Sequence, residues 1–358
     1  MIQTITITAG SLKTYLNKAL VFVNKTKLGL QPIFSSVLWT GDKCRVYNGE
    51  TGAEIFLPFS LNEPAFFIPF DLAQIANAIP EDMEMSLKFD FEKRDCQVQT
   101  KSLNVKFRLL DPTSAPELPP FARDGFEILD LRDKLKRAAQ YTSEDASLPG
   151  FQSVRVTKTH ICATDRNSLW RETIESAQEF TLPRLLVDNI TRIPMDPVKV
   201  AQTKNHIFVF YQDMTISSTR LPEKDDKNMF PPSFPTIFEK VISAETTTEI
   251  AFDRDELVKN LEFITGLDLP DESQGAIQLD IGKEVLFIKT LNKDSSETEG
   301  SAVIACTATQ EYRELFLNSK LFARALGFFH KFEFKEAASV LYFKNVDREA
   351  IVTRRKVR

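Results

Sequence analysis

Histidine, cysteine and glycine are scarce in this chain, and each scarcity removes a class of chemistry. The three histidines, His160, His206 and His330, are not spaced with a second histidine or a cysteine to hold a metal. They are expected at strand edges and helix ends rather than as catalytic bases. The four cysteines, Cys44, Cys96, Cys162 and Cys306, lie far apart with no CxxC pair. They read as reduced, mostly buried thiols of a cytoplasmic protein. Twelve glycines in 358 residues leave no Gly-rich cradle: a phosphate loop, a dinucleotide fingerprint, a nucleophile elbow and an HExxH helix are all missing. No apolar run reaches the roughly 18 residues of a membrane span. The opening Met1-Ile2-Gln3-Thr4-Ile5-Thr6-Ile7 alternates like a strand and lacks the basic start of a signal peptide. The expectation is a non-enzyme with no cofactor, no metal and no membrane association, one that holds something rather than converts it.

What the chain does have is repetition. A strand runs into a helix at Phe66-Phe67-Ile68-Pro69-Phe70-Asp71-Leu72, at Phe180-Thr181-Leu182-Pro183-Arg184-Leu185-Leu186, and at Leu315-Phe316-Leu317-Asn318-Ser319-Lys320-Leu321. Two copies put proline where a helix begins, a position whose N–H has no intrahelical partner. The third uses Asn-Ser, which caps by accepting a backbone hydrogen bond. An earlier helix precedes each marker. Its apolar series starts at Leu12, Leu131 and Leu257, separated by 119 and 126 residues. Three blocks of about 120 residues, each with two amphipathic helices, follow from this period.

Between the helices the chain reads as strand. Cys44-Arg45-Val46-Tyr47 followed by Asn48-Gly49 signals a hairpin, and Ile207–Tyr211 and Val285–Ile288 are apolar runs of strand length. Proline-rich stretches, Pro112 to Pro120 and Pro231 to Pro235, fall where blocks join. The domains are placed at 1–124, 125–246 and 247–358, and the fold class is α+β with antiparallel sheet.

The formal charge of −5 by itself argues against a nucleic-acid partner, but its distribution argues the other way. Over the helical segments 11–27, 70–79, 130–142, 183–193, 253–265 and 318–331, fifteen Lys and Arg stand against eight Asp and Glu. The helices carry +7 and the remaining chain −12. If the helices share one face, that face attracts phosphate while the rest repels it. Lys and Arg also form helices well on solvated faces, and the signal is uneven: segment 253–265 is net acidic and 70–79 has no base. Lys13, Lys18, Lys25, Lys27, Lys134, Lys136, Arg137, Arg192 and Arg324 are the expected phosphate contacts. None belongs to a base-reading motif, so double-stranded DNA would be bound without sequence preference.

Short motifs in order add a resemblance. Cys162-Ala163-Thr164-Asp165-Arg166-Asn167-Ser168-Leu169 resembles the ATDGxRL strand-turn of the bacterial sliding clamps, the beta subunits of DNA polymerase III. Phe230-Pro231-Pro232-Ser233-Phe234 through Ile237 resembles their FPDYxxV segment. Ser143-Glu144-Asp145 through Leu148-Pro149-Gly150-Phe151 and Phe107-Arg108-Leu109-Leu110 resemble two further stretches. The resemblance spans essentially the whole chain. It implies three clamp domains, each a pair of helices backed by antiparallel sheet, forming half of a ring. Two subunits would join head to tail as a homodimer around duplex DNA, helices inward. A helix of about 13 residues is about 20 Å long, enough to cross a groove without entering it. The resemblance further implies a pocket at Leu148, Thr164, Asp165, Leu169, Pro231 and Ile237, where a replicative DNA polymerase and a clamp loader insert a short peptide. On residues alone, Leu169 and Ile237 read as core. The ring junction would place Phe107 and Leu109 against Phe263, Ile264 and Leu267.

This chain departs from that family's pattern at three places. Arg166 stands where the turn has glycine, Ser168 replaces a basic residue, and the end, Ile351-Val352-Thr353-Arg354-Arg355-Lys356-Val357-Arg358, is basic rather than apolar. These fit a divergent clamp, of a phage or mobile element, whose pocket takes a more acidic peptide. A trimeric clamp with two domains per chain fits three repeats poorly. A non-enzymatic repeat scaffold or virion assembly protein that does not encircle DNA is the reading of a different class.

Overall fold

A computed structural model describes residues 1–23, 32–120, 122, 124–221, 229–266, 275–290 and 300–355. Eight helices occur among them: α1 (Ala9–Leu20), α2 (Pro69–Asn77), α3 (Leu131–Ala139), α4 (Pro149–Gln152), α5 (Arg184–Arg192), α6 (Phe234–Ser243), α7 (Arg254–Gly266) and α8 (Ser319–Leu326). The element order repeats three times. A strand feeds the first helix (Ile2–Thr8 into α1, Phe126–Glu127 into α3, Thr248–Phe252 into α7). After intervening strands, another feeds the second (Thr51–Phe67 into α2, Phe180–Leu182 into α5, Tyr312–Asn318 into α8). Three strands then close each repeat.

Local chemistry sets the helix starts. Thr8 caps α1 by accepting from the Ser11 N–H, Pro69 opens α2 at its first position, and Asn318 Oδ1 accepts from the Leu321 N–H at 3.2 Å to cap α8. Pro183 sits one residue before α5, at its N-cap, rather than inside it. The α1 series buries Leu12, Leu16 and Ala19, and each fully buried leucine contributes about 2 kcal/mol. Helix α1 ends at Leu20, short of the segment expected to reach 27.

By contacts the chain divides into two compact units, Met1–Leu135 with Ser176–Leu221, and Lys136–Glu175 with Pro222–Arg358. The reason lies in the sheets, which cross the repeat junctions. In the first unit, Ile2–Thr8, Glu84–Asp90, Asp95–Gln99 and Asn104–Arg108 form one sheet in that order. The Val37–Tyr47/Thr51–Phe67 hairpin turns at Asn48-Gly49 as expected. Its second strand pairs with Met214–Thr219 of the middle repeat, which leads on through His206–Phe210 and Lys199–Gln202 to Phe126–Glu127. Helices α1 and α2 pack together here. In the second unit, Ser168–Thr173 of the middle repeat pairs with Arg348–Thr353 of the last. The sheet then continues through Val340–Lys344, Lys331–Lys335, Thr248–Phe252, Ser301–Ala308, Val285–Thr290 and Ala276–Ile281 to Tyr312–Asn318. All these pairings are antiparallel. Helices α7 and α8 pack together in this unit.

Candidate docking cluster and basic helices

In the second unit an apolar cluster forms where three pieces meet. Cys162 and Leu169 come from adjacent strands, Phe234, Phe238 and Val241 from α6, and Val340, Tyr342 and Ile351 from the last hairpin. Leu169 lies directly across from Ile351 on one side and Thr164 on the other. Phe230, Ile242 and Ala338 pack on the cluster while partly exposed. Leu169 and Thr164 are buried, as the core reading holds for Leu169, whereas Ile237 on α6 is 41% exposed. Pro231 opens the approach to α6, its carbonyl accepting from the Phe234 N–H. Leu148 is the N-cap of α4. The next glycine is required: a Cβ on Gly150 would lie 1.8 Å from the Met229 carbonyl oxygen. Burial pushes the Cys162 thiol up to about 12. It also raises the Tyr342 hydroxyl, which hydrogen-bonds Glu349.

Asp165 organises the turn beside this cluster. Its Oδ1 accepts from the Asn167 and Ser168 N–H groups and the Ser168 hydroxyl, at 3.0, 2.7 and 2.9 Å. Its Oδ2 takes Arg324 Nη1 at 2.8 Å. Arg166 occupies the position where the resembled turn has glycine, and its φ is 80°. Two contacts hold this left-handed backbone: the Arg166 N–H donates to Thr164 Oγ1 at 3.1 Å, and the guanidinium lies 4.8 Å over the Phe151 ring. Arg171 covers the cluster's other margin, 4.5 Å over Phe238 and bonded to Glu239 and Glu349.

The basic chain end runs along another strand. Thr353 donates to the Asn167 carbonyl, and the Arg354 N–H donates to the Ser339 carbonyl. The Arg354 guanidinium is held by the Tyr312 hydroxyl at 3.2 Å and the Glu314 carbonyl at 3.0 Å. The Arg355 N–H donates to the Phe316 carbonyl. Both cationic departures lie over aromatic rings, Arg166 over Phe151 and Arg354 6.0 Å over Tyr312, but among the described residues only the Arg354 guanidinium is also hydrogen-bonded, on the strand Tyr312–Asn318.

The expected phosphate contacts divide into groups. Lys13 reaches the Ile79 carbonyl at 3.2 Å and Glu81 at 3.9 Å. Lys18 pairs with Asp213. Arg137 holds Glu172, which has no exposure, through two bonds, and Arg348 adds a third. Arg324 holds Asp165. Lys18, Arg137 and Arg324 thus have structural work inside the fold that the helical pattern alone did not reveal. Lys136 and Arg192 are exposed, and Lys134 is half-buried. Lys25 and Lys27 lie outside the described residues.

The expected junction residues also divide. Phe107 sits on the outer strand of the first sheet, 5.4 Å from the Phe67 ring. Leu109 is buried, and so is Ile264, which Gly300 abuts. A side chain buried in its own chain offers no area to a partner, so these two serve as core. Phe263 is 69% exposed. Leu267 lies outside the described residues.

Among the described residues no group of three or more His, Cys, Asp and Glu is placed to hold a metal ion, and no helix is long and apolar enough to cross a membrane. No family model matches the sequence, and no curated protein matches it. Solved structures do match. The DNA polymerase III subunit beta of Pseudomonas aeruginosa is 17% identical, with a TM-score of 0.82 over 99% of this chain and 100% of that one. A sliding clamp (DNA polymerase III subunit beta) from Bartonella birtlesii, bound to griselimycin, is 16% identical with a TM-score of 0.83 over 100% of both chains. The beta subunit of Thermotoga maritima is 15% identical with a TM-score of 0.81, again over 100% of both. From first strand to last, this chain has the fold of the DNA polymerase III beta subunits.

Proposed function

We propose that the chain is a DNA sliding clamp, a polymerase processivity factor that acts without catalysis. Three clamp domains, at 1–124, 125–246 and 247–358, would form half of a ring, and two copies head to tail would enclose duplex DNA. The observation that carries this reading is likeness to clamps over the full length of both chains, together with a threefold element order. Exposed bases such as Lys136 and Arg192 would meet phosphates, and enclosure would replace sequence reading. Equivalent contacts let a ring slide.

The pairing rule of the repeats supports the closure. The last strand of the second repeat pairs with Thr51–Phe67 of the first, and the last strand of the third with Ser168–Thr173 of the second. The last strand of the first repeat, Asn104–Arg108, has a partner on one side only among the described residues. Its counterpart by the same rule is Ser301–Ala308. That strand's first five residues pair only with Val285–Thr290, and its later residues pair with Thr248–Phe252. A free strand edge calls for a partner, and a second copy supplies it to both ends at once. Val303 on that strand and Phe263 on α7, which packs against it, are both exposed.

The cluster around Leu169 and α6 would take the short peptide of a replicative polymerase or clamp loader, with Ile237 and Phe230 as its open side. Arg166, which is attracted to Asp145 but has no carboxylate at bonding distance among the described residues, suits a peptide with an acidic residue. Low-resolution electron images of single particles test the assembly: a closed ring with a duplex-sized hole is expected, and open scaffolding arrays or lone chains would overturn it.

A further inference from the structure

The first unit holds a cavity of about 330 Å³ that the clamp reading does not use. Its floor is formed by strands of the six-stranded sheet, and its roof is the proline-rich loop through Leu118, Pro119 and Pro120. Gly52 makes the roof possible. A Cβ there would fall 2.3 Å from Leu118 Cδ2, so the missing side chain is what lets the loop close down on the sheet.

Ser217 lies directly across from Gly52, and residues opposed in an antiparallel pair share a face. It is 2% exposed and lines the cavity. Among the described residues its hydroxyl has no hydrogen-bond partner, and the oxygen opens onto the cavity rather than being sealed from it. Tyr47 and His206 also line it. Glu50 and Glu117 line it as well and are exposed to solvent. Some exposed carboxylates of this unit are paired, as Glu92 is with the chain's amino terminus and Asp111 with Arg94, while others such as Glu63 and Glu84 are not. Among the described residues neither Glu50 nor Glu117 has an ion-pair partner.

An aromatic wall, an unused hydroxyl acceptor and two unpaired carboxylates are complementary to a cation on an alkyl stem. We propose that this cavity binds the basic side chain, arginine or lysine, of a partner protein's extended segment. The stem would lie on the Tyr47 ring, the head group would reach Ser217, and Glu50 and Glu117 would neutralise it. The site shares no residue with the Leu169 cluster.

Three histidines make the test readable, because the imidazole Cε1–H region of an NMR spectrum then holds three signals. The full chain is titrated with acetyl-Gly-Arg-Gly-amide and acetyl-Gly-Lys-Gly-amide, with acetyl-Gly-Glu-Gly-amide as control. A saturable shift of the His206 signal alone is expected with the basic peptides. The Glu50→Gln/Glu117→Gln double variant should weaken it about tenfold, the scale of two exposed ion pairs, with its melting temperature unchanged. Non-saturable shifts, equal shifts with the glutamate peptide, or undiminished binding by the folded double variant would each overturn the proposal.

Discussion

Arg137 grips both carboxylate oxygens of Glu172, at 2.6 and 3.0 Å, at a place where Glu172 has no contact with solvent. The first helix of the middle repeat is thereby tied to a strand 35 residues later, and Arg348 ties the last repeat to the same carboxylate. Removing one partner leaves a buried charge short of its compensation. Arg137→Ala is expected to cost about 3 kcal/mol in a urea melt, where an exposed phosphate contact would cost almost nothing. A loss under about 0.5 kcal/mol would return Arg137 to the exposed class.

Arg166 concerns recognition more than stability. Its left-handed backbone costs about 1 kcal/mol, and stacking on Phe151 returns about as much. Arg166→Gly should therefore leave the melting midpoint nearly unchanged. It should instead weaken a clamp-type peptide carrying an acidic residue about tenfold relative to its alanine counterpart, as read by fluorescence anisotropy. Arg354→Ala should leave that ratio within about twofold, since its guanidinium is held by Tyr312 and Glu314. A ratio moved by Arg354→Ala and not by Arg166→Gly would contradict this assignment.

Assembly is best probed at Phe263, which is 69% exposed. Phe263→Asp is expected to convert a dimer to monomers in sedimentation with the fold kept. Leu109→Asp would bury a carboxylate and test folding instead. An unchanged Phe263→Asp dimer would remove this helix from the junction.

The buried thiols make stability depend on pH at the alkaline end. Burial pushes Cys44 and Cys162 up to about 12 from an ordinary 9.0, and raises Cys96 further. Folded thiols then stay protonated where unfolded ones ionise. Their contribution is complete below about pH 9 and lost as the pH rises towards 12. Over pH 9 to 10 stability should fall by up to about 4 kcal/mol, three thiols at about 1.4 kcal/mol per unit. A Cys44/Cys96/Cys162 to alanine variant should flatten the slope. An equally steep slope in that variant would assign it to other groups.

The repeat, the hairpin at Asn48-Gly49 and all six expected helices were legible because period and capping are local. Asn318 shows this best, since one side chain marks the start of α8. Helix α6 was hidden by its prolines, read as a linker, although Phe234, Phe238 and Val241 already carried the helical spacing and proline is tolerated in a first turn. The ion pairs were not legible at all. Arg324 and Asp165 are 159 positions apart, and only the fold brings them together. For the same reason helix charge overstated the supply of free cations. Sheets that cross repeat junctions likewise made the compact units differ from the sequence blocks.

Enclosure of DNA is tested most directly without a loader. The protein is mixed with linear duplex, the ends are ligated into a circle, and the complex is washed at about 1 M salt, where the Debye length is about 3 Å and phosphate contacts are screened. Retention on the circle and release after a single restriction cut are the expected result. Loss of the protein from the circle in salt, or equal retention after the cut, would contradict it.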